Sequence, residues 1–187
     1  MRTKLSTLLS AIDVTTRQSA AIAAAQHFVD SELFKTSHHI ACYFPLPKEF
    51  DTTPIIDAIW QAKKNCYLPI VSPDKKLHFI RYEKNDELVP NRFNIPEPML
   101  HGENFFPAQQ LDVVLLPLIG FDLKGHRLGT GGGYYDRTFN FLKTVPSKPL
   151  LIGLGYTIQQ AGELPHDEWD VPLDGVLTPE KLLVFLD

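Results

Sequence analysis

The chain has 187 residues and ordinary globular composition, with 44% hydrophobic and 21% charged residues, so a single domain with a real core is expected over 1–187. A formal net charge of −4 argues against non-specific nucleic-acid binding, because a phosphate backbone selects basic faces. No apolar run approaches the roughly 20 residues of a membrane span. Residues 1–16 hold a short apolar piece without a small-residue cleavage pattern, which argues against a signal peptide.

In chain order, the alanine-rich stretch Thr16 to Phe28 predicts a helix. His39 to Phe44 reads as a strand ended by Pro45 and Pro47. Asp51-Thr52-Thr53-Pro54 reads as a helix start, with a capping hydroxyl followed by proline at the first helical position. Ile55, Ile56, Ile59 and Trp60 then share one helical face. Cys66 to Val71 and Leu77 to Arg81 are strands about the turn Ser72-Pro73-Asp74. Residues 83–108, with several prolines and many polar groups, read as a long loop. Leu111 to Leu116 is the predicted central strand, and Pro149 to Leu154 and Gly175 to Leu177 are later ones. Strands alternating with helices indicate an α/β domain with a mainly parallel or mixed central sheet. The two cysteines, Cys42 and Cys66, fall in predicted strands, show no metal spacing, and fit a reducing cytoplasm. The seven histidines show no zinc-ligand spacing either.

The most informative segment is Arg127-Leu128-Gly129-Thr130-Gly131-Gly132-Gly133-Tyr134-Tyr135-Asp136-Arg137. Four glycines within five residues remove nearly every Cβ from one turn. Such a turn can adopt positive φ and present backbone N–H groups to an anion. A helix predicted over Tyr135 to Lys143 would place its N-terminus at the same point. The run is not a P-loop, since no Lys-Ser or Lys-Thr follows the glycines, and Tyr134 stands where a dinucleotide fingerprint needs glycine. It has no serine between its glycines, so it is not a nucleophile elbow. A flexible linker is the alternative, but a linker would not sit between strand and helix signals. The reading is a polyphosphate site with a carboxylate nearby. In open α/β sheets, ligands gather beyond the carboxyl ends of the strands, and the best motifs here follow predicted strands.

Pro117 to Phe139, PLIGFDLKGHRLGTGGGYYDRTF, resembles the signature of 5-formyltetrahydrofolate cyclo-ligases. Tyr43 to Thr52, Asn91 to Pro98 and Glu168 to Asp174 resemble further segments of that family in the same order. The resemblance implies a three-layer α/β/α fold and conversion of 5-formyltetrahydrofolate, with ATP and Mg²⁺, to 5,10-methenyltetrahydrofolate. It implies folate contacts from Phe44, Glu49, Thr130, Gly131, Gly132, Gly133, Tyr134 and Tyr135. It implies ATP contacts from Arg2, Lys4, Arg127, Gly129, Thr130, Gly131, Gly132, Gly133, Tyr134 and Tyr135. Arg127 and Tyr134 take the catalytic positions, and Asp136 and Asp170 the metal positions. Each has a plainer alternative: a solvated Glu49, core aromatics at 134 and 135, Asp136 paired with Arg137, a turn aspartate at 170, and Arg127 paired with Asp122. The chain departs from the family at its N-terminus, where Arg2-Thr3-Lys4-Leu5-Ser6 puts serine at an expected arginine. That departure keeps open a non-catalytic nucleotide- or folate-binding relative.

Overall fold

The computed structural model describes residues 1–91, 94–99, 105–144 and 148–185. The chain opens with three helices: α1 (Arg2–Ser10), α2 (Val14–Asp30) and α3 (Glu32–Thr36). Strand β1 (His39–Ala41) and helix α4 (Thr53–Gln61) follow. A meander of β2 (Asn65–Val71) and β3 (Leu77–Arg81) leads to a small hairpin, β4 (Leu88–Pro90) and β5 (Pro96–Pro98). Next come β6 (Val113–Pro117), a second hairpin of β7 (Gly120–Phe121) and β8 (Arg127–Leu128), and α5 (Tyr134–Phe139). The chain ends with β9 (Leu150–Leu154), β10 (Gly175–Leu177) and β11 (Leu182–Val184).

The main sheet runs in the order β11-β10-β9-β6-β1-β2-β3. Its inner pairs are parallel and only its edge strands β3 and β11 are antiparallel. The sheet is therefore mixed, with β6 at its centre as the apolar run Leu111 to Leu116 predicts. Successive side chains in a strand point to opposite faces, and both faces here are covered. Ile40, Val113, Leu115, Ile152 and Leu177 join one core with residues of α1 to α4. Their neighbours Ala41, Val114, Leu116, Leu151 and Val176 join a second core with Phe139 of α5 and Phe121 of β7. Two cores on one sheet make the three-layer α/β/α architecture.

Several local expectations are corrected. The helix start is shifted from the expected one: α4 begins at Thr53, so Pro54 is its second residue, and no side-chain hydroxyl caps it. The Thr52 hydroxyl donates to the Tyr43 carbonyl (2.7 Å), and the Asp51 carboxylate accepts from Thr53 N–H (2.9 Å). Thr52 is fully buried and its backbone is already helical, a geometry that points its hydroxyl away from the helix end. β1 is shorter than His39 to Phe44, although Cys42 N–H still reaches the Tyr67 carbonyl (2.9 Å). Residues 83–108 contain the β4–β5 hairpin within what reads as loop, because prolines at strand ends hide a short pairing. Arg92 and Phe93, in the Asn91 to Pro98 segment, lie outside the described residues. The helix expected over Tyr135 to Lys143 starts at Tyr134 and tightens into a 3₁₀ turn from Asn140. No described helix is long and apolar enough to cross a membrane.

Asp112 fastens the start of the sheet. Its carboxylate accepts from His38 N–H (2.8 Å) and His39 N–H (2.9 Å) and pairs with Lys148 (2.5 Å). Burial pushes this carboxyl up, but Lys148 and the two N–H groups outweigh it and hold it at about 2, below its ordinary 3.8. A depressed carboxyl stabilises the fold above its unfolded value and loses that contribution as pH falls through the folded one. Asp112→Ala is therefore expected to cost about 1–3 kcal/mol at pH 7. The difference in melting temperature from wild type should shrink between pH 4 and pH 2, and a pH-independent difference would refute this role.

Candidate functional site

The carboxyl ends of β1, β6 and β9 open on the same edge of the sheet, since these strands run parallel side by side. After β1 comes the Tyr43 to Phe50 segment, after β6 the β7–β8 hairpin and glycine turn, and after β9 the turn at Tyr156.

The glycine turn has the predicted backbone. Gly131 and Gly133 hold φ of +98° and +64°, values that side chains with a Cβ avoid. The N–H groups of Gly131, Gly132 and Gly133 donate to no group among the described residues. They are free to bind an anion. α5 has only six residues, so its dipole adds little, and the turn itself supplies most of the donors. Arg137 does not pair with Asp136: its guanidinium donates to the Gly132 carbonyl (2.6 Å) and braces the turn from behind. From the other side the Arg2 side chain of α1 donates to the Gly129 carbonyl (3.1 Å). Leu5, one turn further along α1, packs on Gly120, where a Cβ would approach it to 2.6 Å. Lys4 is exposed, as is Thr130.

Arg127 pairs with Asp136 and not with Asp122. The same guanidinium donates to the Val171 carbonyl, and Val171 N–H returns to the Asp136 carboxylate (3.1 Å). Three remote segments thus close one ring, with Asp170 adjacent. A cleft of about 210 Å³ is lined by Arg127, His126, Asp170 and Val171, among others. Asp122, the alternative partner, instead holds His126 (2.9 Å).

Tyr134 and Tyr135 pack against the second core and are partly buried. Tyr134 lies against Gly132, where a Cβ would come within 2.6 Å of its ring. Burial first, then the Glu49 carboxylate, pushes the Tyr135 hydroxyl well above its ordinary range. Burial and Glu49 act on Tyr43 in the same way. Glu49, from the β1 loop, therefore shares one neighbourhood with Tyr135 from the glycine turn. Glu49 is half-buried and accepts from Leu46 N–H (3.0 Å). Burial raises its carboxyl, and the Leu46 bond only partly offsets that, so it is not the freely solvated glutamate of the plainer reading. Phe44 is half-buried beside the first core.

A divalent cation needs hard oxygen donors, and magnesium commonly takes one or two carboxylates with phosphate and water. Asp136 and Asp170 fit that demand: each has one oxygen engaged by protein N–H groups or Arg127, and the other has no recorded partner among the described residues. No larger cluster of metal-ligating side chains occurs among the described residues.

Sequence reasoning named Asp122 only as an alternative partner of Arg127 and gave no weight to Val171 or Gln159. Val171 acts through its backbone, which leaves no side-chain signal. Asp122 opens the turn Asp122-Leu123-Lys124-Gly125, and an aspartate-to-glycine turn pattern was its only mark. The Gln159 amide donates to the Leu118 and Ile119 carbonyls (2.8 and 3.1 Å) and accepts from Tyr156 N–H (2.7 Å).

The family model described as the 5-formyltetrahydrofolate cyclo-ligase family matches residues 1–179. The chain is 40% identical over 148 residues to a 5-formyltetrahydrofolate cyclo-ligase of Escherichia coli, covering 78% of this chain and 80% of that protein. It is 36% identical over 179 residues to one from Haemophilus influenzae, covering 95% of each. Among solved structures, the 5,10-methenyltetrahydrofolate synthetase of Aquifex aeolicus superposes with a TM-score of 0.84 at 30% identity, covering all of this chain and 91% of the other. That of Mycoplasma pneumoniae gives 0.73 at 25% identity and covers 96% of each chain. The chain belongs to the 5-formyltetrahydrofolate cyclo-ligase family and is a ligase of that class.

The contact between Gly132 and Tyr134 gives a separable test. Gly132 does not hold a positive φ, so Gly132→Ala strains the Tyr134 ring rather than the backbone. The variant is expected to melt within a few degrees of wild type while turnover falls by about tenfold or more. Wild-type turnover in Gly132→Ala would show that the Tyr134 ring position does not matter.

Proposed function

We propose that the glycine-turn edge is where this family member carries out its reaction, the ATP-driven conversion of 5-formyltetrahydrofolate to 5,10-methenyltetrahydrofolate with release of ADP and phosphate. The observation that carries the reading is the juxtaposition of two halves: free glycine N–H groups beside the Arg127–Asp136 pair, and a partly buried Glu49 whose charge is felt by Tyr135. The first half suits phosphates and the second a flat, polar ring system.

A formamide carbonyl is a weak electrophile and its oxygen leaves poorly. Transfer of the γ-phosphoryl group to that oxygen gives an iminium phosphate and ADP. N10 of the folate then attacks the formyl carbon, and phosphate departs with the oxygen as the five-membered ring closes. No protein nucleophile is needed. The chain's task is to hold the formyl oxygen in line with the γ-phosphate and to stabilise charge as it spreads over the phosphoryl oxygens. Gly129 to Gly133 would cradle the phosphates through backbone N–H groups. Arg127 would offer its planar fork to the transferring group. Glu49, Phe44, Tyr134 and Tyr135 would bind and orient the folate. Arg2 and Lys4 would meet the phosphates from α1. Asp136 and Asp170 would hold Mg²⁺, which supplies charge neutralisation at the β- and γ-phosphates when bound. Free Cys42 and Cys66 support a reducing, cytoplasmic setting.

The direct test is incubation with 5-formyltetrahydrofolate, Mg²⁺ and ATP while following methenyl-folate absorbance. ATP-dependent product is expected, and its absence would leave only the non-catalytic binding reading. Asp136→Asn should lower turnover at least about tenfold and raise the Mg²⁺ needed for half-maximal rate. An unchanged Mg²⁺ requirement would remove Asp136 from the metal site.

The N-terminus generates a second test. Residues 2 and 6 are one helical turn apart and share a face, and Arg2 already reaches Gly129. An arginine at position 6 would bring a second guanidinium toward the same turn. A charge-assisted hydrogen bond contributes about 1.5–3 kcal/mol, roughly 10- to 150-fold in affinity. Ser6→Arg is expected to lower the Michaelis constant for ATP, and removal of residues 1–5 to raise it. Three equal constants would show that α1 does not touch the nucleotide.

A further inference from the structure

Arg127 is carried on a hairpin whose ladder is only two residue pairs long, Gly120 with Leu128 and Phe121 with Arg127. Two pairs are too few to hold an arm rigid in water. Its stiffness comes from elsewhere. Asp122 in the hairpin turn is completely buried, at 0% exposure. Its Oδ1 accepts from Lys124 N–H (2.9 Å) and His126 N–H (3.0 Å). Its Oδ2 accepts from His126 Nδ1 (2.9 Å) and from Leu164 N–H (3.0 Å). The first set closes the turn, and Leu164 ties it to the C-terminal segment. That segment is fixed again at its far end, where Leu173 N–H donates to the Gly125 carbonyl (2.8 Å). Asp170 and Val171 lie between these two ties. The His126 ring adds a third, stacked on His166 at 3.7 Å and 5°.

We propose that Asp122, acting with His126, is a positioning residue for phosphoryl transfer: it locks the β7–β8 hairpin to the 164–173 segment and so sets the Arg127 guanidinium in the cleft that Asp170 also lines. This rests on the reading of Arg127 as the phosphate contact. The chemistry of the position requires a carboxylate. All four partners are donors, so an amide at 122 would turn its own NH₂ against two of them. Burial works to raise the Asp122 carboxyl, yet the bonds from Leu164, His126 and Lys124 outweigh it and keep the group below its ordinary value. With an ionised Asp122, His126 Nδ1 carries the proton of their shared bond.

The experiment is a double-mutant cycle read by methenyl-folate absorbance, with melting temperature measured alongside. Asp122→Asn, Arg127→Ala and the double variant are compared with wild type. Asp122→Asn is expected to lower kcat about tenfold or more, with the Michaelis constant for 5-formyltetrahydrofolate changed less than about twofold. In the Arg127→Ala background it should change kcat by less than about twofold, because the group it positions is gone. Equal fold losses in both backgrounds, or wild-type kcat in Asp122→Asn, would overturn the proposal. Arg127→Ala with wild-type kcat would instead overturn the reading of Arg127 itself. Should Asp122→Asn not fold, His126→Phe keeps the ring stack and removes the Nδ1 donor. The same non-additivity with Arg127→Ala is expected of it, and additivity counts against the proposal.

Discussion

The ring joining Arg127, Asp136 and Val171 is the contact on which the site depends. Its two charged members are each poorly placed to exist alone. Arg127 is mostly buried and Asp136 is largely so, with side-chain exposures of 9% and 20%. An unpaired charge at such depth is strongly destabilising, whereas a pair satisfied by further hydrogen bonds is tolerated. The Val171 carbonyl and N–H supply those further bonds. The pair therefore forces three segments together: the hairpin with Arg127, the helix with Asp136 and the C-terminal segment with Asp170.

The sheet decides which segments are available to meet. β1, β6, β9 and β10 are parallel neighbours, so their carboxyl ends share one edge. Close packing under that edge keeps the loops near the sheet. Gly155 admits Gln159 and Leu118, where a Cβ would come within 2.8 and 3.0 Å. Gln159 then satisfies the carbonyls left where β6 gives way to the hairpin. Thr52 does the same after β1, tying α4 back to the Tyr43 carbonyl. Buried polar side chains here answer a specific need, since chain leaving a sheet edge carries unpaired backbone groups that must find partners.

The parts legible in the sequence are those with local causes. The core strands were readable because β6 and β9 are buried on both faces and so are continuously apolar. The glycine turn was readable because positive φ demands glycine. The hairpin carrying Arg127 was not, because its strands are two residues long and carry no periodicity. Thr52 misled because a threonine before a helix carries the cap signal wherever its hydroxyl ends up. The Arg127–Asp136 pair could not be chosen from spacing: Asp122 is as close in sequence to Arg127, and Arg137 is next to Asp136, and tertiary contacts with Val171 decided between them. For Glu49 the residues themselves offered only a solvated loop glutamate, because its burial leaves no local trace in the sequence.

The position of α1 follows from the same economy of partners. Its last carbonyls lack i+4 donors, and the Arg17 guanidinium of α2 takes that of Leu9 and, just beyond the helix, that of Ile12. Its other end is held by Arg2 on Gly129 and by Leu5 on Gly120. The helix is thus clamped by the body of the fold at its C-terminus and through Leu5, and at its first residue by Arg2 on the glycine turn. The Arg2 clamp is an exposed hydrogen bond to a carbonyl, which water can replace at little cost. A phosphate would draw the Arg2 guanidinium more strongly than a carbonyl does, since both members of that pair are charged. The weak contact keeps Arg2 beside the turn without committing it, and the helix holds its cationic end where phosphates would arrive.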